Sequence, residues 1–237
     1  LFNGQGLAAS ADFDSHKDFI GRIGLKPVSI TDKIFFSTAA SYFNGGMLQN
    51  TKYIYRIAEG STTKMFAVDS SEINLGKIAP RKYYGADAQL KIKNKKGLAT
   101  EFRAEVITGT QTGTALTSET PAALLNGKEA YFIRKFNGGY FYALQNIWNL
   151  HHQLAVKFDY YDPNSKLGKR EIGKPGTNTN VADIKFYTLG FGYNYYINAN
   201  VKLLVWYDLV RNEKTSLTGY SDDIKDNIFT TRLQFRF

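Results

Sequence analysis

The sequence predicts an all-β fold, specifically an antiparallel up-and-down transmembrane β-barrel of the outer-membrane type. The chain ends in a period-2 strand whose two faces are Phe229, Thr231, Leu233, Phe235 and Phe237 on one side and Thr230, Arg232, Gln234 and Arg236 on the other. Comparable segments recur along the chain, and their connectors alternate in length. Aromatic residues make up 15% of the chain, with 16 Tyr and 17 Phe against 2 Trp. Such a surplus suits interfacial girdles.

Composition narrows the classes of protein that remain. No apolar run approaches the ~20 residues of a membrane-spanning helix. The chain has no Cys, which excludes disulfides and thiol chemistry, and its formal charge is +9. A basic chain can bind nucleic acid or attract anions into a pore. Nothing indicates a domain boundary, so we expect one barrel domain over residues 1–237.

Nine strands are predicted from alternation and from Gly, Asn, Asp and Pro at the breaks. They span 18–28, 34–44, 82–93, 98–109, 137–148, 151–161, 183–197, 200–212 and 227–237. The short connectors are 29–33, 94–97, 149–150 and 198–199, and the long ones are about 45–81, 110–136, 162–182 and 213–226. Tight turns on one side and long loops on the other are typical of an up-and-down barrel.

The chain start resembles the end of a further strand. Residues 1–3 fit the top of an upward strand that runs into a Gly-rich loop. Nine strands and a stub do not close an even-stranded barrel, so we expect the sequence to begin inside a longer protein. Two alternatives stay open: a mature N-terminus after signal cleavage, and a ten-stranded barrel whose first strand is 6–13.

Alternation also assigns the two faces of most strands. Leu154, Val156 and Phe158 face outward in one strand, while Lys157 and Asp159 face inward. A one-residue slip would move Lys157 into lipid at a cost of ~2–4 kcal/mol near the midplane. Strand 137–148 is ambiguous, because 140–144 is apolar on both faces.

Basic residues dominate the predicted inner face. The candidate pore-lining set is Arg22, Lys26, Lys91, Lys93, Arg103, Lys157, Lys202, Arg232 and Arg236. The inner acids are Asp87, Glu101, Glu105, Asp159 and Asp208, so nine minus five leaves an excess of +4. Cationic rings lower the barrier for anions. Pairing within the wall is the competing interpretation, above all for Glu101, Arg103 and Glu105, which share one face.

Two other segments carry functional predictions. The longest loop, 45–81, could fold into the pore, which would make Arg56 and Lys64 candidate constriction residues; the alternative is an outer cap. In the last strand, we interpret Phe229, Leu233, Phe235 and Phe237 as a C-terminal signal for barrel assembly.

Enzymatic and nucleic-acid functions receive little support. His151 and His152 are adjacent at a turn and point to opposite faces, and no Ser, His and acid set is persuasively spaced. Positive charge is spread over many strands and forms no recognised binding motif. We therefore predict no catalytic residues, no metal, no cofactor and no nucleic-acid partner.

The chain resembles the phosphate-selective porin O/P family in the form common in Bacteroidetes outer membranes. The matching segments occur in order over most of the chain: 16–22, 79–87, 109–114 with 118–121, 153–154 with 157–164, 185–190, 194–197 and the terminal strand. The resemblance implies a barrel of roughly sixteen strands, often trimeric, of which this chain would be the C-terminal part. Phosphate selectivity belongs to certain members and is not transferred here.

These observations together predict an outer-membrane porin for passive diffusion of small hydrophilic solutes, biased towards anions, with phosphate among the candidates. The alternative is a non-conducting structural or accessory barrel in a larger outer-membrane complex. Expected partners are outer-membrane lipid and lipopolysaccharide, small anions, the barrel-assembly machinery, and further copies in a homotrimer or larger complex. Long loops are expected outside the cell, and the short turns and C-terminus in the periplasm.

Overall fold

The computed structural model describes residues 1–4, 12–58, 63–94 and 96–236, and its regular structure is almost all strand. The strands are β1 (Phe2–Asn3), β2 (Lys17–Thr31), β3 (Ile34–Leu48), β4 (Ile54–Ile57), β5 (Phe66–Asp69), β6 (Ile78–Lys93), β7 (Ala99–Gly113), β8 (Tyr131–Ile147), β9 (His152–Asp162), β10 (Phe186–Tyr196), β11 (Val201–Asn212) and β12 (Ile228–Phe235). Two short 3₁₀ helices, Glu72–Asn74 and Val181–Asp183, lie in loops. Within the described ranges, no helix is long and apolar enough to cross a membrane.

The strands form an antiparallel sheet in the order β1-β2-β3-β6-β7-β8-β9-β10-β11-β12. All nine predicted strands are present, which confirms the all-β up-and-down arrangement. The connectors 32–33, 94–98, 148–151 and 197–200 meet at one end of the sheet, here called the turn end. The connectors 49–77, 114–130, 163–185 and 213–227 meet at the other, the loop end. Among the described residues, β12 pairs only with β11, so the sheet is open in this chain.

The predicted N-terminal stub is confirmed as strand. Phe2 of β1 pairs antiparallel with Asp18 at the start of β2, so β1 ends at the loop end of the sheet. Of the alternative first strand, residues 6–11 lie outside the described residues.

Several strands extend further towards the loop end than the sequence predicts. Strand β3 continues to Leu48, β6 starts at Ile78, and β8 starts at Tyr131. Met47, Ala79 and Tyr131 pack there with Leu125 in a buried cluster. Consecutive residues are buried at the loop-end parts of β3 and β8, so burial does not alternate there and the strand ends cannot be located from periodicity.

A hairpin of β4 and β5 occupies part of the stretch that was predicted to be one loop. Ile54 and Tyr55 of β4 pair in parallel with Tyr131 and Phe132 of β8. Phe132 also pairs with Gly113 of β7, so β4 lies on the opposite edge of β8 from β7. The hairpin was missed because each strand has four residues, too few for a clear period.

A buried ion pair ties three long loops to β8. The Arg134 Nε donates to Asp183 Oδ1 at 2.9 Å, and both side chains are fully buried. Asn164 donates to the same oxygen at 2.9 Å, and the Arg134 Nη1 donates to the Thr114 carbonyl at 2.8 Å. The guanidinium also lies 5.4 Å from the ring centroid of Phe66 in β5. Together these contacts satisfy a charge that would otherwise be costly to bury.

We expect Asp183→Asn to loosen these loops while the sheet persists, because the change leaves the Arg134 charge buried without its partner. Removing one partner of a buried pair costs about 3–5 kcal/mol, which raises the population of locally open states more than a hundredfold. Limited trypsin digestion of the folded protein should therefore cleave residues 163–185 much faster.

The matched control is Asp222→Asn, which breaks the exposed pair with Lys214. Exposed pairs contribute little, so cleavage of residues 163–185 should stay at the wild-type rate in this variant. Equal cleavage rates in Asp183→Asn and wild type would show that the buried pair does not hold the loops.

Candidate functional site: the concave face of the sheet

The strand register brings most of the predicted pore-lining cations onto one face of the sheet. Residues that are paired across neighbouring strands lie on the same face of the sheet. In β6 and β7, the pairs on this face are Asp87 with Glu105, Gln89 with Arg103, and Lys91 with Glu101. The same face carries Arg22, Lys93, Lys157, Lys202 and Arg232. Arg236 follows β12 with the same alternation. Lys26 lies in the register irregularity between Leu25 and Val28, so strand pairing does not fix its face.

Side chains on this face meet across intervening strands. The Arg22 Nη2 of β2 lies 2.7 Å from Asp87 Oδ2 of β6, across β3. The Lys157 Nζ of β9 lies 3.6 Å from Asp208 Oδ1 of β11, across β10. The rings of Tyr142 in β8 and Trp206 in β11 are 6.2 Å apart across two strands. The aromatic contacts on the opposite face, such as Phe102 with Phe141, join adjacent strands. We therefore call this the concave face.

Two glycines make room for the indole of Trp206. A Cβ at Gly190 or Gly192 would collide with its ring, so only glycine lets the indole lie over β10. The Trp206 Nε1 donates to Asp208 Oδ1 at 2.7 Å, which fixes the ring orientation. Neither Trp206 nor Tyr142 was predicted from the sequence to line the concave face. The sequence signal that could have indicated this packing is the pair of glycines in β10 on the same face as a large aromatic residue in the next strand, β11.

The structure resolves the ambiguous strand 137–148. Phe141 pairs with Ala104 and Phe158, which lie on the apolar face. Tyr140 and Tyr142 therefore lie on the concave face, where the Tyr140 hydroxyl donates to Glu105 Oε2 at 2.9 Å.

Near the middle of the concave face, the cations are paired. Arg22 pairs with Asp87, Arg103 lies 2.6 Å from Glu101, and Lys157 lies 2.7 Å from Asp159 and also meets Asp208. The Glu101 carboxylate also accepts from Gln89. Wall pairing, the competing interpretation of the basic residues, therefore describes these three cations.

Apart from Lys26, whose face is not fixed, five predicted cations lie towards the turn end and have no ion-pair partner among the described residues. They are Lys91, Lys93, Lys202, Arg232 and Arg236. Two of them contact aromatic rings: the Lys93 Nζ lies 4.7 Å from the Phe35 centroid, and the Lys202 Nζ lies 5.8 Å from the Tyr196 centroid. An aromatic ring attracts a cation without cancelling its charge, so the concave face keeps its excess positive charge at this end.

Arg56 and Lys64 lie away from the concave face. Tyr55 stacks on Phe132, so Arg56, the next residue of β4, points to the opposite side. Both cations line a cleft together with Lys82, Thr110 and Lys135. Strand pairing places these three residues on the apolar face, so the cleft opens on that face. A constriction role for Arg56 and Lys64 stays a prediction, and this placement lends it no support.

The opposite face is apolar and exposed. Ile23 is 79% exposed, Val106 is 55% exposed, and Phe158, Leu189 and Phe191 are exposed beside them. Phe229, Leu233 and Phe235 of the predicted assembly signal continue this face onto β12, and Phe237 lies outside the described residues. An apolar surface of this extent needs a cover that is not water.

Aromatic side chains flank the apolar face at both ends. Towards the loop end, Tyr42 lies 6.3 Å from Phe19 and 5.2 Å from Tyr84 between ring centroids. At the turn end, His152 lies 5.1 Å from Tyr195 and 5.3 Å from Trp148. Two aromatic belts around an apolar band are typical of the outer wall of a transmembrane barrel.

The family comparison agrees with this architecture. The model of the family described as phosphate-selective porin O and P matches residues 79–237, which is more than half of the chain. The chain belongs to this family. No curated protein and no solved structure matched the chain.

Membership of the phosphate-selective porin O and P family makes the protein an outer-membrane porin, and its antiparallel up-and-down sheet is consistent with part of a β-barrel wall. It indicates a channel rather than an enzyme. In the part of the chain that the structure describes, no three His, Asp or Glu side chains group in a way that could hold a metal ion.

The two tryptophans of this porin offer a direct test of the two faces. Trp148 is 78% exposed at the turn-end belt, whereas Trp206 lies on the concave face. In vesicles that contain brominated phospholipid, we expect strong quenching of Trp148 in a Trp206→Phe variant, because bromine contacts only side chains at the lipid face. Trp206 in a Trp148→Phe variant should be quenched by aqueous iodide instead. The reverse pattern would mean that the faces are assigned the wrong way round.

Proposed function

We propose that this porin passes small hydrophilic solutes by passive diffusion and favours anions, with phosphate among its candidate solutes. The observation that carries the proposal is a group of cations at the turn end of the concave face that have no ion-pair partner in the part of the chain that the structure describes: Lys91, Lys93, Lys202, Arg232 and Arg236. Fixed positive charge at a pore mouth concentrates anions and raises the barrier for cations.

The paired cations contribute less to this field. Arg22, Arg103 and Lys157 each have a carboxylate within 3 Å, so their charge is largely cancelled beyond the pair. At an ionic strength of 0.1 M the Debye length is about 10 Å, so solutes sense mainly the charges that they pass closely. In this proposal, the turn-end mouth is the anion-selective region.

The proposal includes a location and an assembly. The concave face lines the lumen of a barrel of roughly sixteen strands, which further strands complete. The loop end faces outside, and the turn end and the C-terminus lie in the periplasm. The barrel-assembly machinery recognises the last strand through Phe229, Leu233 and Phe235, and barrels associate into trimers or larger complexes. The apolar face and its two aromatic belts support a lipid-exposed wall.

A non-conducting accessory barrel is the second candidate. The observation that favours it is the buried Arg134 cluster, which fastens Asp183 and the Thr114 carbonyl over the concave face at the loop end. Loops held in this way could close a lumen. An accessory barrel would conduct poorly and co-purify with a partner, whereas a porin conducts alone.

The test is the reversal potential of the full-length protein in a planar bilayer under a KCl gradient. We expect chloride selectivity in the wild type. The double variant Lys91→Glu, Lys202→Glu should lower the chloride-to-potassium permeability ratio by about threefold or more, because it places negative charge in the proposed selective region.

The matched control is Lys77→Glu, Lys128→Glu, which changes two exposed lysines of the long loops and gives the same change in net charge. Strand β6 has 16 residues, so the two ends of the wall are roughly 50 Å apart, several Debye lengths. The control should keep the wild-type ratio. Equal effects of the two variants would locate selectivity elsewhere, and absence of conductance would favour the accessory barrel.

A further inference from the structure

A cleft of about 710 Å³ lies at the loop end of the apolar face. Its floor is formed by Pro80 and Lys82 of β6, Thr110 of β7, and Ile133 and Lys135 of β8. Its rim is formed by the β4–β5 hairpin, through Arg56, Ala58 and Lys64, and by Lys166 from the loop after β9. We propose that this cleft binds a phosphorylated glycolipid of the surrounding membrane through its phosphate groups.

Charge is the first argument. Arg56, Lys64, Lys82, Lys135 and Lys166 line the cleft, and no carboxylate is among the described lining residues. Glu59, the residue after Ala58, lies outside the described residues. Five cations around one cleft repel each other unless an anion is present, and phosphate accepts hydrogen bonds from both Lys and Arg.

Two of the cations are held in place by the backbone and by neighbouring groups. The Lys135 Nζ donates to Thr110 Oγ1 at 2.7 Å, which holds its ammonium group beside another residue that lines the cleft. The Ser165 N–H donates to the Lys135 carbonyl at 2.7 Å, so the loop that carries Lys166 is attached next to Lys135. Positions fixed in advance reduce the entropy that binding must overcome.

Position is the second argument, and it decides between a lipid and a solute. Lys82 lies on the same face as Tyr84 of the loop-end aromatic belt, two residues nearer the loop end, or roughly 7 Å. An aromatic belt marks the level of the headgroups, so the cleft opens at the height where lipid phosphates lie. Pro80 and Ile133 also give it apolar walls, which suit a lipid better than a free ion.

The cleft is separate from the proposed anion-selective region, because the two lie on opposite faces and at opposite ends of the sheet. A solute in the lumen would not reach the cleft. The identity of the lipid rests on the proposed orientation, in which the loop end faces outside: the outer leaflet there is rich in glycolipids that carry phosphate monoesters.

The probe is purified lipid A, mixed into detergent micelles with the full-length protein and followed by native mass spectrometry. The test variant is Lys82→Gln, Lys135→Gln, Lys166→Gln, which removes three cleft cations. The matched control is Lys77→Gln, Lys128→Gln, Lys225→Gln, which removes three exposed lysines outside the cleft. We expect lipid A to bind the test variant more than about tenfold more weakly, and the control as the wild type does.

Three further measurements identify the ligand. Dephosphorylated lipid A and phosphatidylglycerol should bind weakly to the wild type, and millimolar inorganic phosphate should not displace lipid A. Equal loss in the test and control variants would overturn the site, because only net charge would matter. Equal binding of phosphatidylglycerol, or displacement by phosphate, would overturn the glycolipid assignment.

Bilayer recordings separate this inference from the proposed porin function. The test variant should keep the wild-type conductance and reversal potential, because its substitutions lie outside the lumen. A changed reversal potential would contradict the placement of the cleft, whereas a non-conducting wild type that still binds lipid A would contradict only the proposed channel.

Discussion

The backbone hydrogen-bond ladder is the constraint on which the rest of this structure depends. In an antiparallel ladder, neighbouring residues of a strand point to opposite faces. The pairing register of a strand therefore fixes the environment of all its side chains. Because Lys157 lies on the concave face, its neighbours Val156 and Phe158 lie on the apolar face. A slip of one residue would place Lys157 in lipid at a cost of ~2–4 kcal/mol near the midplane. For strands that have a neighbour on each side, the ladder also satisfies the backbone groups internally, as a membrane demands.

The concave face departs from a simple polar lining in two places. Near its middle, glycines in β10 let Trp206 lie flat against the sheet and meet Tyr142, so aromatic packing crosses the wall. At the loop end, Arg134 draws three loops onto β8 through a fully buried pair with Asp183. Both sets of contacts involve side chains of the concave face, so the middle of the apolar face stays available to lipid.

The fold places the positively charged residues in three groups, which differ in their position on the sheet and in the groups that surround them. Arg22 and Lys157 are matched by carboxylates and act as parts of the wall. Lys91 and Lys202 have no such partner among the described residues and give the turn end its excess charge. Lys82 and Lys135 lie on the apolar face, where a cation needs a headgroup or water to be tolerated. The position of each charged residue is therefore a better guide to its role than the net charge of the chain.

The sequence by itself determined the up-and-down arrangement, the short and long connectors and the faces of the strands that alternate clearly, because each follows from local alternation. It also determined the family, through short segments such as 79–87 and 157–164. Only the tertiary structure decided which cations are paired, that Tyr142 meets Trp206, and that Arg134 joins the loops. Arg56 is the clearest case: its loop was recognised, but its face depended on how β4 pairs with β8. Such contacts join residues far apart in the chain, and side-chain reach across a curved sheet has no period that a sequence can reveal.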